Sequence, residues 1–154
     1  FTLVYNTSEG HKLIAETIQQ MWKREIRIDV VIENQEWQVY VKRLETMEFQ
    51  MARMGWVGDY ADPYTFLEIF SPDSGNNHSN WKDPAFKSLL DAGNAQLDPR
   101  ARYARFREAE RAMLDVLPII PLYVYTRSYL VKPYVKGIWP NLMDKHPWRA
   151  MWIE

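Results

Sequence analysis

Within its first sixty residues the chain alternates between strand-like and helix-like hydrophobic periods, and that alternation restricts the fold more than any other feature. Residues 2–6 read as a short buried strand closed by Asn6-Thr7-Ser8. Ser8 is placed to cap a helix whose stripe Ile14, Ile18, Met21 and Trp22 has helical spacing, with Glu16, Gln19, Gln20 and Lys23 outside. Residues 26–32 are β-branched and alternating, a second strand led out by Glu33-Asn34-Gln35. Asn34 is the expected cap of a second helix, with Trp37, Tyr40, Val41, Leu44 and Met47 facing inward. A third strand, expected to be the central one, begins at Phe49. The β-α-β-α-β order predicts parallel strands joined by right-handed crossovers. Such sheets bind ligands outside the carboxyl ends of their strands, where Gly58-Asp59-Tyr60 falls.

The third strand carries most of the chemistry. Residues 49–57 alternate, with Phe49, Met51, Arg53 and Val57 on one face and Met54 and Trp56 on the other. Gly55 and Gly58 interrupt it, and glycine inside a strand marks a close approach of ligand or backbone. A turn closed by Asp62-Pro63 follows. Cation, aromatic, bare backbone and anion thus succeed one another as Arg53, Trp56, Gly58 and Asp59. Fully extended, Arg53 and Asp59 would lie ~20 Å apart, room for a zwitterion a few residues long. A short peptide is such a ligand.

Further on, residues 64–70 read as a helical turn and residues 71–80 as a polar loop. Asp83-Pro84 and Asp98-Pro99 each announce a helix, since Asp at the N-cap with Pro at the first helical position is a strong start signal. The first carries Phe86, Leu89 and Leu90; the second carries Tyr103, Phe106, Met113, Leu114 and Leu117 and stops before Pro118. Residues 119–131 are expected to return as one or two strands, with Pro121 at an edge. Residues 132–154, rich in Pro and Trp, are expected to pack across the lobe.

Composition removes several function classes. A net charge of −1 lacks the basic footprint of a nucleic-acid binder. No apolar run approaches the ~18 residues of a membrane span. There is no cysteine, hence no disulfide or thiolate metal site. His11, His78 and His146 lack ligand spacing, and no nucleophile elbow, phosphate loop or His-Glu-x-x-His is present. No metal and no cofactor are expected. Because its first residues already read as strand, the chain is expected to begin in mid-fold, as a piece of something longer. Each site residue also has a plainer role: Asp59 bonding turn amides, Arg53 in a structural ion pair, His11 at the surface, Trp37 and Trp56 in the core. Their order along one segment favours a ligand cleft.

The segments Leu3-Val-Tyr-Asn-Thr-Ser8, Asn34-Gln-Glu-Trp37, Ala52-Arg-Met-Gly-Trp-Val-Gly-Asp-Tyr60, Pro121-Leu-Tyr-Val-Tyr125 and Leu130-Val-Lys-Pro133 occur in that order. Together they resemble the C-terminal lobe of the dipeptide- and oligopeptide-binding proteins of ABC importers, the extracellular solute-binding proteins of family 5. The resemblance runs over essentially the whole chain, and Arg-x-Gly-Trp-x-x-Asp-Tyr is its most specific motif. It implies an α/β lobe of the type II periplasmic-binding-protein fold, a mixed sheet flanked by helices, over residues 1–154. It further implies a binding protein without a reaction of its own, a membrane permease as partner, and a periplasmic or lipid-anchored location. By resemblance Asp59 is the counter-ion of a peptide α-amine, and Arg53 and His11 neutralise its carboxylate. Trp37 and Trp56 would wall side-chain pockets, while Gly55 and Val57 would offer main-chain hydrogen bonds. Leu44, where the family commonly has a charge, and Val57, where cysteine can occur, bear on preferred peptide length. Two other readings use the same residues: the scaffold with different cargo, such as a metal chelate or a sugar, and a hydrolase half-site using Asp59 or Asp62 with His11.

Overall fold

The computed structural model describes all residues, 1–154, and they form two compact units, Phe1–Trp56 and Val57–Glu154. In the first unit β1 (Thr2–Asn6), α1 (Glu9–Ile26), β2 (Val31–Gln35), α2 (Trp37–Glu45) and β3 (Met51–Ala52) follow one another. The three strands form one sheet in the order β2-β1-β3, parallel throughout. Thr2 pairs with Val31 and Asn6 with Gln35 on one edge of β1; Leu3 pairs with Met51 and Val4 with Ala52 on the other.

Alternation along β1 divides this unit into layers. Leu3 and Tyr5 are buried with Ala15 of α1 and with Val30, and Trp22 and Ile28 pack against them. Val4 faces the other way, onto Tyr40 and Leu44 of α2. The chain steps from β1 to β2 in one direction and from β2 past β1 to β3 in the other. Right-handed crossovers in opposite directions place their helices on opposite faces, as α1 and α2 are.

Several elements differ from the sequence expectation. The central strand is β1, and β3 is a two-residue edge that ends at Ala52, so residues 53–57 are not strand. Gly55 and Gly58, which weaken a strand, interrupt the period-2 pattern here. Residues 26–32 are not one strand: α1 runs to Ile26, Arg27 caps it in the left-handed conformation, and β2 continues to Gln35. Ile26 closes a helix instead of opening a strand because Trp22 still accepts the cap N–H, extending the helical ladder. Ser8 occupies the N-cap of α1 through its carbonyl, which accepts from the Lys12 N–H at 2.9 Å, with no side-chain cap bond. Ala15, not Met21, is the buried residue of α1. Glu36, not Asn34, caps α2, its carboxylate accepting from the Gln38 N–H at 2.8 Å. Met47 lies beyond α2, in a left-handed conformation.

The second unit holds α3 (Tyr64–Leu67), a 3-10 turn (Glu68–Phe70), α4 (Pro84–Asn94) and α5 (Pro99–Val116). Both Asp-Pro starts behave as the sequence predicts. Asp83 accepts from the Ala85 N–H at 2.8 Å, and Asp98 from the Ala101 N–H at 3.0 Å. Leu67, Phe86, Leu90, Phe106, Ala109 and Met113 form the core. Asn77 organises the polar loop before α4: its amide donates to the carbonyls of Phe70, Ser71 and Trp81. Residues 119–131 carry no regular structure, and Leu117 is the left-handed cap that ends α5. Farther on, β4 (Val135–Lys136) and β5 (Trp152–Ile153) pair antiparallel, with a 3-10 turn (Trp148–Ala150) before β5. Residues 132–154 are largely exposed instead of packing down as a cover.

Gly93 sets the approach of α4 to α5. A Cβ there would lie 2.5 Å from Cε1 of Phe106, itself 2% exposed. Gly93→Ala gains ~1 kcal/mol of helix propensity but overpacks a closed core, at ~1–3 kcal/mol. We expect a net loss of up to about 2 kcal/mol in urea unfolding. Gly75→Ala, with no heavy atom within 4 Å of its Cβ, is expected to stay within about 0.5 kcal/mol of the parent. Equal stability of the two variants would refute the packing account.

Candidate functional site

The order β2-β1-β3 creates a topological switch point, because the connection from β1 runs to β2 on one side and the connection from β2 passes over β1 to β3 on the other. Open parallel sheets bind ligands in the crevice outside such a point. The residues immediately beyond β1 and β3 include His11, in the first turns of α1, and Arg53. These two come from separate elements and fall at the same end of the sheet.

Arg53 continues the β3 ladder for one more bond, its N–H donating to the Val4 carbonyl at 2.8 Å. It is only 8% exposed. Its own carbonyl accepts from the hydroxyl of Tyr40, a 2%-exposed residue of α2. Burial pushes the Tyr40 phenol up to about 12, with the Arg53 charge acting in the opposite direction, so the hydroxyl remains a proton donor at physiological pH. Tyr40 also lies against Trp37, ring centroids 6.0 Å apart and planes at 31°. One phenol thereby touches the first residue of α2 and the backbone at Arg53.

His11 sits with Nδ1 3.3 Å from the Asn6 carbonyl. Burial and then the Arg53 charge hold its pKa below the ordinary 6.5, and the Asn6 carbonyl offsets part of this. At neutral pH the pair is therefore one cation beside a neutral imidazole. An approaching carboxylate favours protonation of His11 and makes it a second cation. Beside them Thr7 ties the ends of β1 and β2 together, its hydroxyl donating to Asn34 Oδ1 at 2.6 Å and its N–H to the Gln35 carbonyl at 2.9 Å.

The remaining expected residues divide between the units. Trp37 is 58% exposed, so it is not a core residue. Trp56 is half-buried, and its indole Nε1 is buried without a hydrogen-bond partner. A buried orphan donor costs about 1–3 kcal/mol, which a ligand carbonyl at that position would relieve. Gly55 is exposed. The unit boundary falls after Trp56, so Val57 and Asp59 belong to the second unit, both exposed. There the Asp59 N–H donates to Thr65 Oγ1 at 3.1 Å, and a Cβ on Gly58 would lie 3.0 Å from Phe66 and 3.1 Å from Thr65. Thr65 is fully buried and fixes the backbone from which the Asp59 carboxylate projects.

Asp62 has a structural assignment. It accepts from Arg102 at 3.0 Å and from the Tyr64 N–H at 2.9 Å. Burial raises its pKa, but those two bonds and the Arg102 charge outweigh that and leave it lowered. A carboxylate held ionised by an arginine and a backbone N–H is a poor general acid, which weakens the hydrolase reading. Sequence reasoning placed Tyr40 in the core without a polar role, and overlooked Thr65 and Arg102. For Tyr40 the available signal was a tyrosine, with its hydroxyl, on an otherwise apolar helix face.

Comparison with known proteins bears on the family and the fold. A model of the bacterial extracellular solute-binding proteins, family 5 Middle, matches residues 1–78, half of the chain. The chain belongs to this family. The oligopeptide-binding protein OppA of Bacillus subtilis is 39% identical over 137 residues, 88% of this chain and 25% of that protein. The solved structure of the Escherichia coli murein tripeptide-binding protein MppA superposes with a TM-score of 0.85 at 36% identity, covering 99% of this chain and 30% of that one. Haemophilus influenzae OppA in complex with the peptide RPPGFSPFR gives 0.85 at 34% identity, again over 99% of this chain and 30% of that one. These neighbours carry the same fold, a lobe of the periplasmic peptide-binding proteins. The chain spans about a quarter of the length of the curated relatives it matches.

The His11 environment sets a sign for pH. Its folded pKa lies below 6.5, so between the two values the unfolded chain binds more protons and stability rises with pH. That contribution is complete above about 6.5 and is lost as pH falls through the folded pKa. An NMR titration of the His11 ring should give a midpoint under 6.5, moving upward in Arg53→Gln. A midpoint unaffected by Arg53→Gln would remove the electrostatic coupling.

Proposed function

We propose that residues 1–154 are the C-terminal ligand-binding lobe of the substrate-binding component of an ABC-type oligopeptide or dipeptide importer. The longer protein captures short peptides in extended form between two lobes, delivers them to a membrane permease and catalyses no reaction. It works outside the cytoplasmic membrane, in a periplasm or on a lipid anchor. No helix of the chain is long and apolar enough to cross a membrane. The relatives named for oligopeptides, dipeptides and murein peptide support this reading.

The observation that carries it is the cationic centre at the switch point, Arg53 with His11 beside it. In this reading Arg53 and His11 receive the peptide carboxylate, and the exposed Asp59 carboxylate receives the α-amine. Trp37 and Trp56 line side-chain pockets, and Gly55 and Val57 bond the peptide backbone. Termini and backbone are common to all peptides, so these contacts hold cargo of varied sequence. Binding should release the Trp56 Nε1 from its orphan state.

Calorimetry on the full-length protein tests the amine contact. Removing one partner of a buried charge pair costs ~3–5 kcal/mol, so Asp59→Ala should weaken a free-amine tetrapeptide by ~100-fold or more. The parent should bind the N-acetylated form of the same peptide with a similar deficit. Equal affinity for free and acetylated peptide would overturn the assignment and favour cargo of another class.

A further inference from the structure

Tyr40 brings to the core of the first unit a ring, which the packing uses, and a hydroxyl, which the packing does not require. It is buried with Val4 and Leu44, and Phe49 and Ala52 pack against the same cluster. A phenylalanine would fill that place between sheet and helix equally well. The hydroxyl reaches one group, the carbonyl of Arg53. That carbonyl stands where the sheet gives out. β3 pairs with β1 only through Met51 and Ala52, and the Arg53 N–H to the Val4 carbonyl is the last bond of the ladder. The next buried backbone acceptor has to find its donor elsewhere, and Tyr40 supplies it from α2. With the N–H held by β1 and the C=O held by Tyr40, both peptide planes flanking the Arg53 Cα are fixed, and so is the direction in which its side chain departs.

We propose that Tyr40 is a positioning residue of the carboxylate site: it touches no ligand, and its hydroxyl aims the Arg53 side chain by holding the backbone that bears it. The proposal rests on the reading of Arg53 and His11 as the groups that receive a peptide carboxylate. A charge-assisted bond from a guanidinium to a carboxylate is short, about 2.7–2.9 Å, and depends on the orientation of the donor fork. A small rotation of the Arg53 backbone is magnified along so long a side chain, so an unpinned backbone spoils that fit without removing the charge. At 2% exposed, Tyr40 is closed off from a ligand and acts only through Arg53. Burial keeps its phenol a proton donor at physiological pH. Its ring is braced in turn by Trp37, with centroids 6.0 Å apart.

Tyr40→Phe in the full-length protein removes the hydroxyl and keeps the ring. Calorimetry with one tetrapeptide, as the free acid and as the C-terminal amide, reads the effect. The variant should bind the free acid at least ~10-fold more weakly than the parent does, with affinity for the amide changed less than about twofold. Where the parent prefers the free acid, an equal loss on both peptides, or no loss on either, leaves Tyr40 a core residue only and refutes the proposal. The His11 ring gives a second readout that needs no peptide. The Arg53 charge helps to hold its pKa down, so a guanidinium displaced in Tyr40→Phe should let its NMR midpoint rise. An unmoved midpoint would overturn the proposal. A third readout needs no substitution: in the parent, the Tyr40 ring carbon that bears the hydroxyl should shift with the free acid and not with the amide. A resonance that answers both peptides alike counts against the proposal, even if Tyr40→Phe fails to fold. The two ideas fail separately. A risen His11 midpoint, with a parent that binds acid and amide equally, keeps Tyr40 as the support of Arg53 and refutes the functional reading. A parent that prefers the acid, with that preference intact in Tyr40→Phe, does the reverse.

Discussion

Pairing on both edges of β1 is the constraint on which the rest of the first unit depends. Val4 stands opposite Glu33 on one side and Ala52 on the other. Its neighbours Leu3 and Tyr5 are fixed by the pleat to the α1 face while Val4 is fixed to the α2 face. A slip of one residue in either ladder would turn Leu3 and Tyr5 toward α2 and expose the wrong set. With β1 central, the connections must diverge, and the carboxyl ends of β1 and β3 open a crevice. His11 and Arg53 reach the same end of the sheet because that topology leaves them there.

The chemistry of the crevice follows from burial. Arg53, a residue only 8% exposed, gives up much of its hydration, so its attraction for an anion is less screened than at the surface. The same field acts on His11, whose proton is displaced by burial and by that charge. With the His11 pKa lowered in this way, Arg53 and His11 do not stand as two adjacent cations at neutral pH. Tyr40 contributes without charge: its phenol, held protonated by burial, fixes the Arg53 carbonyl at the point where the chain leaves the sheet. The indole N–H of Trp56 remains as an unmet donor close by in sequence.

How legible these features were depends on the range of the interactions behind them. The Asp83-Pro84 and Asp98-Pro99 starts were readable because a cap bond joins residues two or three apart. β1, the apolar side of α4 and, on α5, Phe106 and Met113 were readable from local periodicity, whereas Tyr103 and Leu117 are exposed. Residues 26–32 were misread because their β-branched alternation is real, but the left-handed cap at Arg27 and the six-residue cap bond from the Ile28 N–H to the Trp22 carbonyl end α1 only after Ile26. Residues 53–57 were misread as strand because their alternation is real but the ladder that would use it ends at Ala52.

The sequence by itself determined the α/β class, the family motif around Arg53, Trp56 and Asp59, and the two Asp-Pro helix starts, all of which show in patterns a few residues long. Only the tertiary structure decided that β1 is central, that Tyr40 anchors Arg53 thirteen residues away, and that Arg102 takes Asp62 forty residues away. Such pairings join groups that the chain brings together only after its strands and helices have packed. No local pattern encodes a distance between them, because that distance is set by the summed geometry of every element in between.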